Sequence, residues 1–203
     1  MSRAVEAVVF DIGRVIVQWE LRHLFSGLIA DEQELDWFLA NVVSEDWHFE
    51  HDRGRPLSEI VPERKAKFPD HAHLIDHYAT NFLDSIPGPV PGTADLIGRL
   101  VSADVPLFAI TNFGADFWAM FRPTEPMLDH FGDIVVSGIE RCAKPDPAIF
   151  KLAEARFGIP APAMLFIDDN LANIHAAERE GWQVHHFRAA ELLEVELGQR
   201  GLI

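Results

Sequence analysis

The chain of 203 residues holds a single cysteine, Cys142, so no disulfide can form within it. That suits a reducing compartment, and we expect a cytoplasmic protein. Long hydrophobic runs are also missing, and no stretch approaches the length of a membrane span. The first apolar run follows Arg3 and stops at Asp11, too short and too acidic for an export signal. Positive charge is scarce. Against 32 Asp and Glu stand 17 Lys and Arg, a net charge of −15. This excludes a general nucleic-acid binder, because phosphate backbones need a basic footprint. An anionic substrate has to be held by a local positive site, against the field of the whole molecule. Repeats and low-complexity tracts are absent.

The chain does have the apolar material for a core, with 48% hydrophobic residues. Its organising stretch runs from Ala4 to Val17. A β-branched run leads to Phe10, then to Asp11 and Gly13. The run predicts a buried strand bounded by a turn. An aspartate left unpaired at the edge of a core is costly, so Asp11 needs a cation or backbone donors. Gly13 is expected to allow a sharp turn and a close approach of its backbone to a ligand.

Helical spacing follows at 20–28, 31–43, 57–68 and 71–83, while 44–54 reads as a polar loop. The run from Ile86 to Gly92, which alternates Pro and Gly with apolar residues, marks a boundary. Beyond it, strands at 105–110, 134–136, 164–167 and 184–187 alternate with helices. Asp146 with Pro147, and Asn170, are helix starts, and Gly158 and Gly181 are helix stops. The expected fold is α/β: a Rossmann-like parallel sheet with helices on both faces and an inserted all-helical cap. We expect the core to comprise 1–18 and 87–203 and the cap 19–86. Such a cap would sit over the carboxyl end of the sheet, where ligands bind.

The residues at those strand ends are Asp11, Thr111 with Asn112, Ser137, and Asp168 with Asp169; Lys144 follows Ser137 by a short loop. Singly, each has a bland reading as a helix cap or turn residue. Together they converge on one pocket. Three clustered carboxylates repel unless a cation sits among them, and oxygen-only ligands favour Mg²⁺. A carboxylate there can act as nucleophile and form an aspartyl-phosphate. Lys144 and the Thr111 hydroxyl can stabilise the phosphoryl oxygens.

Four segments then carry a resemblance. Phe10-Asp11-Ile12-Gly13, Ile110-Thr111-Asn112, Lys144-Pro145-Asp146-Pro147 and Phe166-Ile167-Asp168-Asp169-Asn170 resemble, in order, the four motifs of the haloacid dehalogenase-like (HAD) hydrolase superfamily. The resemblance covers essentially the whole chain. It is strongest to the branch holding bacterial α-glucose-1-phosphate phosphatases and the phosphatase domain of soluble epoxide hydrolases. It implies Asp11 as nucleophile and Mg²⁺ held by Asp11, the Gly13 carbonyl and Asp169, with Asp168 ligating directly or through water. It further implies that Thr111 and the Asn112 backbone bind the phosphoryl group and that Lys144 bridges it to Asp11. The partner would be a small phosphorylated, or halogenated, anionic substrate, with no nucleic acid or membrane, and the protein a monomer or homodimer.

One departure stands out. Most phosphatases of the family carry a second aspartate two residues after the nucleophile, as acid and then base, where this chain has Gly13. Losing such a group costs about 10²–10⁴-fold in rate. Asp46, His48, His51 and Asp52 are candidates to replace it, and the sequence selects none. Arg14 is also unusual; it either binds a substrate anion or faces solvent. His71, His73 and His77 make a weak case for zinc. His185 and His186 read as structural, and Cys142 as a buried thiol. Trp19, Trp37, Trp47 and Trp118 read as core, with Trp19 and Trp47 also placed to line the pocket mouth. A phosphomonoesterase is expected first; the alternatives are a 2-haloacid dehalogenase with an aspartyl-ester intermediate and a non-catalytic binding protein.

Overall fold

A computed structural model describes residues 4–203; Arg3 lies outside them. Five strands, β1 (Ala7–Phe10), β2 (Leu107–Thr111), β3 (Asp133–Val136), β4 (Met164–Asp168) and β5 (Gln183–His186), form one parallel sheet in the order β3-β2-β1-β4-β5. Both faces of β1 are covered. Val8 and Phe10 enter one apolar cluster, and Ala7 and Val9 the other. That is why β1 reads as an unbroken apolar run rather than an alternating one. The chain builds outward from β1 to β2 and β3, then returns to place β4 on the other side of β1. Ligands bind at such a reversal, outside the carboxyl ends of the strands. Asp11 and Asp168 flank it.

Between β1 and β2 lies a wholly helical segment: α1 (Leu21–Phe25), α2 (Glu32–Asn41), α3 (Glu45–Asp52), α4 (Leu57–Lys67) and α5 (Ala72–Thr80), before α6 (Thr93–Ser102). Its two ends are tied together. The Gln18 amide donates to the Gly88 carbonyl at 2.8 Å and the Val90 amide to the Ile16 carbonyl at 2.8 Å. The remaining helices are α7 (Ala115–Phe121), α8 (Ser137–Glu140), α9 (Pro147–Phe157), α10 (Leu171–Arg179) and α11 (Ala190–Gln199). Asp146 and Asn170 cap α9 and α10 through their side chains, and Gly158 ends α9 in the left-handed region at φ 67°.

Several expectations are corrected. Residues 44–54 are not a loop. Ser44 accepts from the Trp47 amide and caps α3, with Glu45 and Asp46 in the first turn. Capping and first-turn acids together outweigh the polar composition. Gly13 is not the residue that turns: Arg14 takes the left-handed conformation, at φ 60°. A Cβ at Gly13 would meet no atom within 4 Å. Trp37 is 46% exposed and not a core residue. Cys142 is only partly buried. No described helix is long and apolar enough to cross a membrane.

Candidate active site

Lys144 is a deeply buried charge at the carboxyl end of the sheet, with 1% of its surface exposed. Its ammonium donates to Asp11 Oδ2 at 2.8 Å, Asp168 Oδ2 at 2.7 Å and the Ile110 carbonyl at 2.8 Å. Three protons meet three acceptors, which is the condition for tolerating a buried ammonium. Burial opposes the charge on Lys144, but Asp11 and Asp168 outweigh it and hold the pKa above its ordinary value. A reciprocal clamp fixes the lysine backbone. Asn112 Nδ2 donates to the Lys144 carbonyl and the Lys144 amide to Asn112 Oδ1, each at 2.9 Å. The Asn112 side chain is therefore committed to positioning Lys144.

Asp11 accepts from the Ile12 amide at 2.7 Å through its other oxygen. Burial pushes its carboxyl up, Lys144 pulls it back, and Asp168 and Asp169 push it up again. Asp168 is fully buried. It accepts from the Asn170 amide at 2.8 Å and from Asn173 Nδ2 at 3.0 and 3.1 Å, besides Lys144. Those contacts use about all the lone pairs a carboxylate has. Asp169 is less enclosed. Burial and then the Asp168 charge raise its pKa, and His186 Nε2 holds its backbone carbonyl at 2.9 Å. His186 is thus structural, as expected.

Asp11, Asp168 and Asp169 each offer an oxygen within 4.8 Å of the others, the one such acidic or His/Cys cluster among the described residues. His71, His73 and His77 do not gather; His71 and His77 face aromatic rings instead. An all-oxygen set in which the Asp168 charge raises the pKa of both Asp11 and Asp169 fits a hard divalent cation.

Above this floor opens a cavity of about 350 Å³. Asp11, Gly13, Asn112, Lys144 and Asp169 line its base. Thr111 and Asp168 stand at strand ends but are buried and do not line it. The opposite walls come from the helical segment and its neck: Trp19, His48, Phe49, Asp52, Phe82 and Ile86, with Phe113 after β2. Trp47 does not reach it; it packs on Tyr78 and beneath Arg64. Arg14 does line the cavity, stacked 4.7 Å over Trp19 and paired with Glu45 at 2.6 Å. It is a latch between the β1 loop and α3.

A model of the haloacid dehalogenase-like hydrolases matches residues 5–181. The chain belongs to this family. As a HAD-like hydrolase it is an enzyme, and the parallel sheet with helices around it is the family's fold. The match spans less than half the length of each curated relative. A (S)-2-haloacid dehalogenase of Pseudomonas putida is 30% identical over 96 residues, 47% of this chain and 42% of its own. A phosphoglycolate phosphatase of Shigella boydii is 28% identical over 108 residues, 53% of this chain and 43% of its own. Among solved structures, a HAD family enzyme of Bacteroides thetaiotaomicron, in complex with magnesium and inorganic phosphate, superposes with a TM-score of 0.73. It is 16% identical, over 92% of this chain and 96% of that one.

Proposed function

We propose that this HAD-like hydrolase is a Mg²⁺-dependent phosphomonoesterase that works through an aspartyl-phosphate on Asp11. The observation that carries the reading is the Lys144 ammonium between Asp11 and Asp168, beside Asp169, at the base of the cavity. Asp11, Asp169 and the Gly13 carbonyl would hold Mg²⁺. Asp168, its lone pairs engaged, would orient Lys144 and add its charge to the site rather than ligate the ion. The ion would neutralise phosphoryl charge. Burial raises the Asp11 pKa, so Lys144 and the ion together would hold it ionised for attack; Lys144 and the Asn112 backbone would stabilise the phosphoryl oxygens, with the buried Thr111 hydroxyl behind them.

In this reading, residues 19–86 form a cap over a core of 1–18 and 87–203. The aromatic walls suit a small leaving group. Cytoplasmic residence rests on the lone cysteine. A second reading, 2-haloacid dehalogenase, is favoured by Gly13 and by the P. putida relative. It gives no role to a metal-binding trio of carboxylates.

One assay set separates them: p-nitrophenyl phosphate with Mg²⁺ or with EDTA, and L-2-chloropropionate for halide. Phosphate release that needs Mg²⁺ and vanishes in Asp11→Asn is expected. Halide release in EDTA would sink the phosphatase reading.

A further inference from the structure

Gly13 leaves the site without the acid that most phosphatases of the family place there, and four side chains of one segment were candidates to supply it. The structure separates them. Asp46 lines the cavity but sits exposed in the first turn of α3. His51 does not line it; its ring packs against Gly114, where a Cβ would lie 1.9 Å from the imidazole, and its Nδ1 pairs with the Arg55 carbonyl at 2.7 Å. His48 lines the cavity, but its ring is stacked among Trp19, Phe82 and Phe117 and its Nδ1 is paired with the Tyr78 hydroxyl at 2.7 Å. Burial drives its pKa down to about 4, so it stays neutral and cannot donate as imidazolium.

Asp52 differs from all three. It lines the same cavity as Asp11 and Lys144, is only 5% exposed, and its Oδ1 has no hydrogen-bond partner. A buried oxygen left unpaired is costly, and such groups cluster at functional sites. Its backbone is pinned. The Phe113 amide donates to Ser137 Oγ at 2.9 Å, and that hydroxyl donates to the Asp52 carbonyl at 2.6 Å. The last residue of α3 is thereby tied to the loop after β2 and to the start of α8.

We propose that Asp52 is the acid and base of this enzyme, taking the part that Gly13 cannot. The inference rests on the phosphatase reading. In the first half-reaction an Asp11 oxygen bonds to phosphorus, the ester P–O bond breaks, and the Asp52 carboxyl proton passes to the departing oxygen. In the second, the Asp52 carboxylate takes a proton from water, the water oxygen bonds to phosphorus, and the Asp11–phosphorus bond breaks. Asp11 is returned ionised and Asp52 protonated. The environment suits both tasks. Burial, only partly offset by His51, the Gly114 amide and Lys144, raises the Asp52 pKa to about 7. An acid–base group works best with a pKa near the operating pH. The titratable groups facing it are His48, at 3.4 Å, and His51 on its own helix, Tyr78 from α5 and Lys144 from the loop before α9; Asp116 on α7 reaches only as far as His51.

The test is the leaving-group dependence of kcat/KM over a series of substituted phenyl phosphates with Mg²⁺. Asp52→Asn should lower phenyl phosphate turnover by about 10²–10⁴-fold. It should spare p-nitrophenyl phosphate far more, because p-nitrophenolate departs without a proton. The slope against leaving-group basicity should therefore steepen. Gly13→Asp in the Asp52→Asn background should flatten it again, since a Cβ at Gly13 meets no atom within 4 Å. Equal losses on both esters, or none, in a variant whose melting temperature is unchanged, would overturn the assignment of Asp52. A wild-type enzyme that releases phosphate from no ester would instead overturn the phosphatase reading beneath it.

Discussion

The floor and the roof of the cavity are both buried, yet they are held by opposite means. The floor is charge set against charge: one ammonium, three carboxylates and the amides that fix them. The roof is ring against ring. Phe82 and Phe117 stack at 3.9 Å, and His48 lies nearly parallel to both. Packing of that kind tolerates graded change, whereas a buried ion cluster fails when one member is lost. The floor is suited to chemistry that is fixed, and the roof to a choice of substrate that can drift.

Removing the ammonium is the harshest break of this contrast. Lys144→Met leaves Asp11 and Asp168 facing each other without a counter-ion, which costs about 3–5 kcal/mol of stability in urea denaturation and abolishes turnover. The double variant Lys144→Met/Asp168→Asn should regain much of that stability and none of the activity. If the single variant unfolds at the wild-type midpoint, the floor is not held by charge.

In the roof, Phe82→Ala should cost a similar 3–5 kcal/mol through cavity formation. There the surviving folded enzyme should keep much of its kcat and lose in KM. A kcat collapse with KM unchanged would mean that the rings act on the reacting groups directly.

Mg²⁺ sharpens the comparison from the other side. An ion that binds only the folded floor raises its stability by about 2.7 kcal/mol at a hundred times its Kd. Differential scanning calorimetry should show this in the wild type and lose most of it in Asp169→Asn. Equal stabilisation of both proteins would place the ion elsewhere.

The smallest effect is expected at the seam between the two regions. Arg14 and Glu45 form a partly exposed pair, so Arg14→Ala should change stability by about 1 kcal/mol or less.

The same division governs what could be read in the sequence. The floor was legible because its residues sit next to strand signals. Asp11 follows an apolar run, Asp168 ends another, and Lys144 precedes a Pro-Asp-Pro helix start. The alternation of strands and helices after Gly92 likewise gave the sheet. The roof was not legible in the same way. Its walls come from positions far apart in sequence, Trp19, Phe49, Phe82 and Phe113, which only packing brings together. The helix carrying Asp52 had a usable signal, Ser44 followed by two acids, that the polar composition of 44–54 obscured. Gly13 misled in a different manner. A glycine suggested a turn, but the left-handed residue is Arg14, and a Cβ at Gly13 would meet no atom within 4 Å.

The central claim is that Asp11 attacks phosphorus. Acid-quenched mass spectrometry during turnover of p-nitrophenyl phosphate with Mg²⁺ tests it most directly. A phosphoryl group on the peptide bearing Asp11, absent in Asp11→Asn, is the predicted result. Phosphate release at full rate by Asp11→Asn, or an adduct on another residue, would contradict it.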